Sequence, residues 1–378
     1  MSAGPAHRLE DIASIYADRE AEARRFYAHG GRVIGVLGAT VPTELITAAG
    51  MFPLRLVGDP ARGTARSDAY MEPVREGYLR AIVEKLLAGD YGFLDLIVVP
   101  RSSEGLLQFY YLVEHIRTTE PELRLPALHL FDLLQTPFDY TARYVRARME
   151  ELRTRLGGIA GAPISDKAIA DAIASHDAAR RGFGTIVARR RTTPPAISGT
   201  TALRLAGCGQ VLPVDALAAL IAEAVTHHET IVPGPRLMIK GSPQEHDGFY
   251  RAVEATGATI VADDHDWGET LYETPVGDSD DPMQALVAHC MTHRPSPRRL
   301  PQEAVDAEFI ARVRDAAVDG VIFALEAHDD TLGWDYPAQK RALEAIGVAS
   351  ILLTGQSYWS IDDRTQTDIA TFVRELSR

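Results

Sequence analysis

The stretch VIGVLGATVPTELITAAGMFPLRLVG, residues 33–58, decides the fold of this chain. An apolar run leads into a turn at Gly38, a helical pattern opens at Pro42, and a second apolar run follows Gly50. Proline favours the first turn of a helix, and glycine permits the tight turns on either side of it. The stretch therefore predicts a strand, a turn, a helix and a second strand.

The same alternation extends through the first part of the sequence. The strands are predicted at 32–37, 53–57, 94–99 and 126–131, and the helices at 8–29, 42–49, 74–88, 103–117 and 138–156. The strand patterns are continuous Val/Ile/Leu runs, which is typical of parallel strands covered by helices on both faces. This part of the chain predicts a parallel sheet between two layers of helices.

The remainder of the chain contains a helical segment and then a second alternating region. The helical segment has patterns at 165–192, 198–208 and 213–228. Further strands are predicted at 236–240, 258–262, 319–325 and 349–354, with helices at 243–256, 281–292, 302–317, 337–346 and 363–377. We predict an α/β protein with two doubly wound, mostly parallel-sheet domains, 1–156 and 232–378, joined by a helical connector at 157–231. Ligands of open α/β sheets bind beyond the carboxyl ends of the strands, so the cleft between the domains is the expected site.

Composition argues against several classes of protein. Hydrophobic residues make up 46% of 378 positions, and the formal net charge is −13, whereas nucleic-acid binding requires a basic face. No apolar run approaches the roughly 20 residues of a membrane span. The N-terminus, MSAGPAHRLEDIA, lacks the pattern of a secretory signal. We therefore expect a cytoplasmic protein that binds neither nucleic acid nor membranes.

Six stretches carry a resemblance to a known family. Two lie in the first half, GVLGATVPTELITAAGMFPLRL from Gly35 and DAYMEPVREGYLRAIVEKLLAGDYGFLDLIVVPRSSEG from Asp68. The others are RLMIKGSP, GATIVADD, DGVIFALEAHDD and YPAQKRALEAIGVASILLTGQS. Through them the chain resembles 2-hydroxyacyl-CoA dehydratase and benzoyl-CoA reductase subunits, of the 2-hydroxyglutaryl-CoA dehydratase D-component type. The resemblance implies a bound CoA thioester and single electrons passed from an iron–sulfur cluster on cysteine thiolates.

The cysteines that this resemblance implies are absent. Ser103, Ser296 and His328 stand where the family places cluster cysteines, and a [4Fe–4S] cluster depends on thiolate ligands. The two cysteines of the chain, Cys208 and Cys290, have small or apolar neighbours, which is typical of packed interior thiols. We therefore expect that this chain binds no cofactor itself and meets a [4Fe–4S] cluster only through a partner subunit.

Candidate site residues follow the ends of predicted strands. The resemblance implies that Ser103 or His328 lies near the reacting carbons, as a catalytic residue. The residues expected to bind substrate are Gly38, Ala39, Thr40, Glu104 and Asp264. In the same interpretation, the amino-terminal end of the helix at 42–49 faces the thioester.

These positions also fit structural roles. Ser103 and Glu104 are suited to capping a helix, and Gly38 to a tight turn. The Asp/His groups at 263–266 and 328–330 are suited to a divalent metal, to an acid–base pair or simply to turn capping, and no metal ligand is assigned.

Three functional hypotheses remain open at this point. The first is an acyl-CoA-binding subunit of a dehydratase- or reductase-type system, paired with a related cluster-bearing subunit or with itself as a dimer. The second is a non-catalytic paralogue that binds a CoA ester or a partner subunit. The third is a redox-independent lyase or hydrolase that uses the Asp/His cluster. The run ARRR at 188–191 either meets a CoA phosphate or ends a helix in solvent.

Overall fold

The computed structural model describes residues 8–72, 74–293, 300–327 and 329–377. These residues form two sheets of four parallel strands, which confirms the predicted α/β class with two doubly wound sheets. The first sheet contains β1 (Val33–Val36), β2 (Phe52–Arg55), β3 (Leu96–Pro100) and β4 (Leu128–Phe131), in the order β2-β1-β3-β4. The second contains β5 (Arg236–Gly241), β6 (Thr259–Asp264), β7 (Gly320–Glu326) and β8 (Ala349–Gln356), in the order β6-β5-β7-β8. The second sheet therefore repeats the strand order of the first.

Helices connect the strands in both halves. The first group is α1 (Ile12–Ala17), α2 (Ala21–Ala28), α3 (Thr43–Ala48), α4 (Gly77–Leu87), α5 (Glu104–Thr119) and α6 (Asp139–Ala160). Between the sheets lie α7 (Asp166–Arg190), α8 (Gly199–Cys208) and α9 (Val214–Thr226). The last group is α10 (Gly248–Glu254), α11 (Pro282–Thr292), α12 (Gln302–Asp315), α13 (Asp330–Gly333), α14 (Tyr336–Ala345) and α15 (Asp363–Leu376). Among these described helices, none combines the length and the apolar character that a membrane crossing demands.

Both faces of the first sheet are buried under helices. On one face, Ile34 and Val98 pack with Met149 of α6 and with Leu286 of α11. The opposite face packs against α4 and α5. The helix α11 follows β6 in the chain, yet it contributes to the core of the first sheet. The two halves of the sequence therefore share a hydrophobic core as well as an interface.

The prediction of a single N-terminal helix at 8–29 is wrong, because the structure has two shorter helices there. The chain forms α1 and α2 with a break between them, where Asp18 leaves the helical conformation. The break turns the charged residues Arg19 and Glu20 into the interior, and Glu20 accepts a hydrogen bond from Lys85 at 2.5 Å. A continuous amphipathic helix cannot bury these two neighbouring side chains while each keeps its polar partner.

The helix predicted at 243–256 begins at Gly248, five residues later than expected. The residues before it form a loop, because Glu245 and His246 make hydrogen bonds with Tyr358, which follows β8. The same loop lies at the carboxyl end of β5, where the second sheet meets the first. This departure from the predicted helix therefore adds polar side chains to the cleft.

Candidate functional site

A cleft lies where the carboxyl ends of the two sheets face each other. Its wall includes residues that follow β1, β2 and β3 on one side and residues that follow or end all four strands of the second sheet on the other. The cleft holds about 1840 Å³ of empty space, counting the solvent at its mouth. A crevice at the carboxyl ends of parallel strands is where open α/β sheets bind their ligands.

Four of the seven residues predicted for the site line this cleft, namely Gly38, Ala39, Ser103 and Asp264. Thr40 is buried behind the wall with 1% of its surface exposed, and its hydroxyl has no hydrogen-bond partner within the described structure. Glu104 is exposed at the first residue of α5, outside the lining of the cleft. His328 lies outside the described residues, as does Ser296, one of the positions at which the family places a cysteine.

Ser103 is the N-cap of α5, which begins at the next residue. Its Oγ accepts a hydrogen bond from the Leu106 amide at 3.2 Å, as an N-cap side chain does. The carboxylate of Glu76 lies against Gly105 in the same helical turn, where a β-carbon would collide with it. The amino-terminal end of α5 is therefore already supplied with acceptors, and the capping role that the sequence allowed for Ser103 is present.

The shorter helix α3 does not offer a free amino-terminal end to a ligand. It has six residues, and Glu44 in its first turn is fully buried. Glu44 pairs with Arg180 of α7, which also pairs with Asp177. The positive end of the helix dipole therefore meets a carboxylate of the chain itself. The prediction that this helix faces the thioester has no support in this arrangement.

Asp264 lies on the wall of the cleft as half of an ion-paired group. Lys240 Nζ lies 2.6 Å from Asp264 Oδ2, and Arg312 lies 3.3 Å from the other carboxylate oxygen. Burial raises the pKa of Asp264, but the charges of Lys240 and Arg312 outweigh it and hold the pKa at about 2. Asp264 is therefore an anion across the physiological range, and it serves poorly as a proton donor.

The neighbouring Asp263 and His265 are also occupied within the protein. Asp263 pairs with the fully buried Arg190 at 2.7 Å, so this arginine of the ARRR run neither meets a CoA phosphate nor lies in solvent. His265 Nε2 lies 2.8 Å from the hydroxyl of Tyr250, and burial lowers its pKa. Among the described residues, no group of three or more His, Cys, Asp or Glu side chains is arranged to hold a metal ion.

The described cations of the cleft wall are each paired with a carboxylate. Arg55 contacts Asp266 at 2.9 Å, Lys240 contacts Asp264, and Arg312 contacts Glu273 at 2.7 Å. Carboxylates outnumber these cations on the described wall. The cleft is therefore acidic at its polar positions, with leucine, valine and aromatic side chains between them.

Glu326 and Glu245 are site residues that the sequence analysis missed. Glu326 is the last residue of β7, and its Oε1 accepts a hydrogen bond from the Gly77 amide at 2.7 Å. Burial raises the pKa of Glu326 to about 8, and the charges of Glu245 and Glu76 add to this rise. The available signal was its position, since Glu326 directly follows the strand predicted at 319–325.

A chain of hydrogen bonds fixes Glu245. Tyr358 Oη lies 2.5 Å from Glu245 Oε1 and 2.7 Å from His246 Nε2, while Arg19 donates to His246 Nδ1 at 3.0 Å. Because arginine can only donate, Nδ1 is the acceptor and Nε2 carries the hydrogen of a neutral imidazole. Burial and the positive charge of Arg19 lower the pKa of His246 to about 2, in agreement with that state. His246 therefore donates to Tyr358, and Tyr358 donates to Glu245.

Comparison with known proteins shows to which family this chain is related. The family model described as "2-hydroxyglutaryl-CoA dehydratase, D-component" matches residues 39–376. This chain belongs to that family. The match covers every strand of both sheets except β1, and it includes residues on both sides of the cleft.

Curated members of the dehydratase family are similar along nearly their whole length. The (R)-phenyllactyl-CoA dehydratase beta subunit of Clostridium sporogenes is 21% identical over 358 residues, 92% of each chain. One of the subunits of benzoyl-CoA reductase from Thauera aromatica is 25% identical over 337 residues, 84% of each chain. The beta subunit of (R)-2-hydroxyglutaryl-CoA dehydratase of Acidaminococcus fermentans is 23% identical over 384 residues, 97% of this chain and 98% of that one.

The donor atoms of this family member do not fit an iron–sulfur cluster. Such a cluster is held by cysteine thiolates, and this chain has two cysteines, both described. Cys208 packs in the core around α7, α8 and α9, and Cys290 packs in the core of the first sheet. Both are fully buried, and neither lines the cleft. The side chains that do line the cleft offer oxygen and imidazole ligands in place of sulfur.

Proposed function

We propose that this chain is the acyl-CoA-binding subunit of a 2-hydroxyacyl-CoA dehydratase or benzoyl-CoA reductase type of system, and that it lacks a complete [4Fe–4S] ligand set of its own. The proposal is supported by the relatives, which are named as subunits of dehydratases and a reductase of CoA thioesters. The observation that carries it is the cleft between the carboxyl ends of the two sheets, whose described wall contains no thiol.

The charges of the wall suggest how a CoA thioester would lie. The phosphates of CoA would find Arg55, Lys240 and Arg312 already paired with carboxylates. We therefore place the phosphates at the mouth and the uncharged acyl and pantetheine part inside, beside apolar residues such as Leu37 and Leu106. This orientation puts the thioester among the polar groups at the ends of the strands.

The proposed assembly pairs this chain with a related subunit that holds the cluster, or with a second copy of itself. The relatives are each named as one subunit of an enzyme, which is the support for a partner. In this arrangement the partner's cluster supplies electrons when it is present. In this proposal the chain itself binds the substrate and orients it.

The alternative that used the Asp/His cluster is not favoured. Asp263 and Asp264 are each paired with a cation, and His265 is bound to Tyr250. The alternative of a non-catalytic paralogue also predicts CoA-ester binding. It differs from our proposal because it predicts no activity when the partner subunit is present.

Isothermal titration with acyl-CoA thioesters tests the proposal directly, together with mass spectrometry of the denatured protein for retained CoA esters. Ser102→Trp fills part of the cleft and should weaken binding at least tenfold, whereas Ser377→Trp, on the exposed end of α15, should leave it unchanged. Failure of the wild-type chain to bind any acyl-CoA, with no retained CoA ester, would overturn the proposal. Equal binding by both variants would place the ligand outside the cleft.

A further inference from the structure

We propose that the cleft contains an acid–base pair, Glu326 and Glu245, which removes water from a 3-hydroxyacyl thioester, or adds it back, without electron transfer. This inference rests on the proposed binding of a thioester in the cleft. It goes beyond that function, because it gives the isolated chain a reaction of its own that needs neither a cluster nor a partner.

The first member of the pair is held by main-chain groups from the opposite half of the molecule. Glu326 Oε1 accepts the Gly77 amide at the amino-terminal end of α4. A β-carbon on Gly77 would lie 2.8 Å from Glu326 Oε1 and 2.6 Å from Tyr358 Cβ. Glycine at this position therefore lets Glu326 and Tyr358 lie side by side on the wall of the cleft.

The second member is held through side chains. Glu245 accepts the hydroxyl of Tyr358, which is itself held by His246, and His246 is held by Arg19. Each of the three hydrogen bonds has a fixed direction, because arginine cannot accept. A carboxylate whose orientation is set in this way is ready to receive a proton without first rearranging.

The two carboxyl groups have different electrostatic surroundings. Burial raises the pKa of Glu326 to about 8, and the groups that face it are Glu245, Glu76 and the hydroxyl of Tyr358. Burial also raises the pKa of Glu245, but the hydrogen bond from Tyr358 and the charges of Arg19 and Arg55 oppose this rise. At neutral pH Glu326 holds its proton, and we assign the role of base to Glu245, which accepts the Tyr358 hydroxyl and faces the charges of Arg19 and Arg55. Two carboxyl groups with such different surroundings can be assigned as the acid and the base of a reaction.

The reaction balances with these two groups alone. Glu245 takes the proton from carbon 2, the electron pair forms the bond between carbons 2 and 3, and the 3-hydroxyl leaves as water with the proton of Glu326. Afterwards the proton on Glu245 returns through solvent to Glu326. In the opposite direction, water adds to carbon 3 and Glu245 returns its proton to carbon 2.

The chemistry of the thioester selects the position of the hydroxyl. Hydrogen on carbon 2 is acidified by the neighbouring carbonyl, so an ordinary base can remove it. Elimination from a 2-hydroxyacyl thioester would instead take hydrogen from carbon 3, which that carbonyl does not acidify. A chain with two buried cysteines has no cluster ligands with which to make that step easier.

The test uses the purified full chain with 3-hydroxybutyryl-CoA and crotonyl-CoA in D₂O, without reductant. We expect interconversion of the two esters and deuterium at carbon 2, with no change in 2-hydroxybutyryl-CoA. Glu326→Gln and Glu245→Gln should each slow the reaction by about 10²- to 10⁴-fold. Glu375→Gln, on the exposed surface of α15, is the matched control and should keep the wild-type rate.

Binding of crotonyl-CoA, measured for each variant, separates the possible failures. Binding by the wild-type chain without any deuterium incorporation overturns the acid–base pair and leaves the proposed function intact. Absence of binding overturns both. A Glu326→Gln variant that binds the ester and keeps the wild-type rate also overturns the pair, since retained binding shows that this variant is folded. A rate that falls as the pH rises through about 8, and loses this dependence in Glu326→Gln, supports Glu326 as the acid.

Discussion

The carboxyl of Glu326 and the amide of Gly77 join the two halves of the molecule by a hydrogen bond of 2.7 Å. The two residues are 249 positions apart in the sequence. Glu326 ends a strand of the second sheet, and Gly77 begins a helix of the first half. The bond therefore brings a buried, titratable group to the interface at which the cleft is formed.

The stability of the protein should depend on pH through Glu326. Its pKa is raised from 4.5 to about 8 on folding, so the folded state holds a proton that the unfolded state has released. Between these two values, the free energy of unfolding contributed by this group must fall as the pH rises. In urea unfolding at a series of pH values, the free energy of unfolding should fall less steeply with pH for Glu326→Gln than for the wild type. Identical slopes would show that Glu326 titrates normally in the folded protein.

Arg190 should be essential for stability. It is fully buried at the end of α7 and pairs with both Asp263 and Glu269, which are buried as well. Arg190→Met removes the cation and leaves buried carboxylates, so we expect a loss of about 3–5 kcal/mol in the free energy of unfolding. The exposed Arg374→Met should change it by less than about 0.5 kcal/mol. Similar urea midpoints for the two variants would argue against the buried ion-pair network.

Gly241 should not tolerate a side chain. It ends β5 on the wall of the cleft with φ +131°, and a β-carbon there would collide with the carbonyl oxygen of Ala324. Gly241→Ala should cost at least about 1–3 kcal/mol, because strained backbone and a steric collision coincide. Gly184→Ala, in open space within α7, should instead stabilise by about 0.5–1 kcal/mol. Thermal unfolding distinguishes the opposite signs.

The two thiols should be unreactive in the folded protein. Both cysteines are fully buried, and burial raises the pKa of Cys208 to about 12. Because the thiolate is the reactive form, 5,5′-dithiobis(2-nitrobenzoic acid) should label both thiols in urea and neither in buffer. Rapid labelling of either cysteine in native buffer would place that thiol in a different environment from the one described.

The alternation of strands and helices was predictable because it follows from local patterns. The continuous apolar runs of buried parallel strands and the helical periodicity between them are visible in the sequence, and the structure confirms both sheets. The packing of α11 on the first sheet was not predictable in this way. Its apolar residues show that α11 is buried, but they do not show which of the two similar sheets it packs against.

The polar interior escaped prediction for a related reason. Arg19 and Glu20 look like surface residues of a helix, and their partners His246 and Lys85 are distant in the sequence. Asp264 was placed at the cleft, but its pairing with Lys240 and Arg312 depends on neighbouring elements of the fold. Glu326 resembles any acidic residue after a strand until the amide of Gly77 and the burial around it are known. The position of a residue at the end of a strand predicted that it lies in the site. The ionisation state of its side chain could not be predicted, because it depends on tertiary contacts.

Iron analysis and visible spectroscopy of the chain, expressed alone and purified anaerobically, test most directly whether it can hold a cluster. With both cysteines buried outside the cleft, we predict a colourless protein without bound iron, before and after chemical reconstitution. The Cys208→Ala/Cys290→Ala double variant should give the same spectrum. A brown wild-type protein with about four irons per chain would contradict the absence of a complete ligand set.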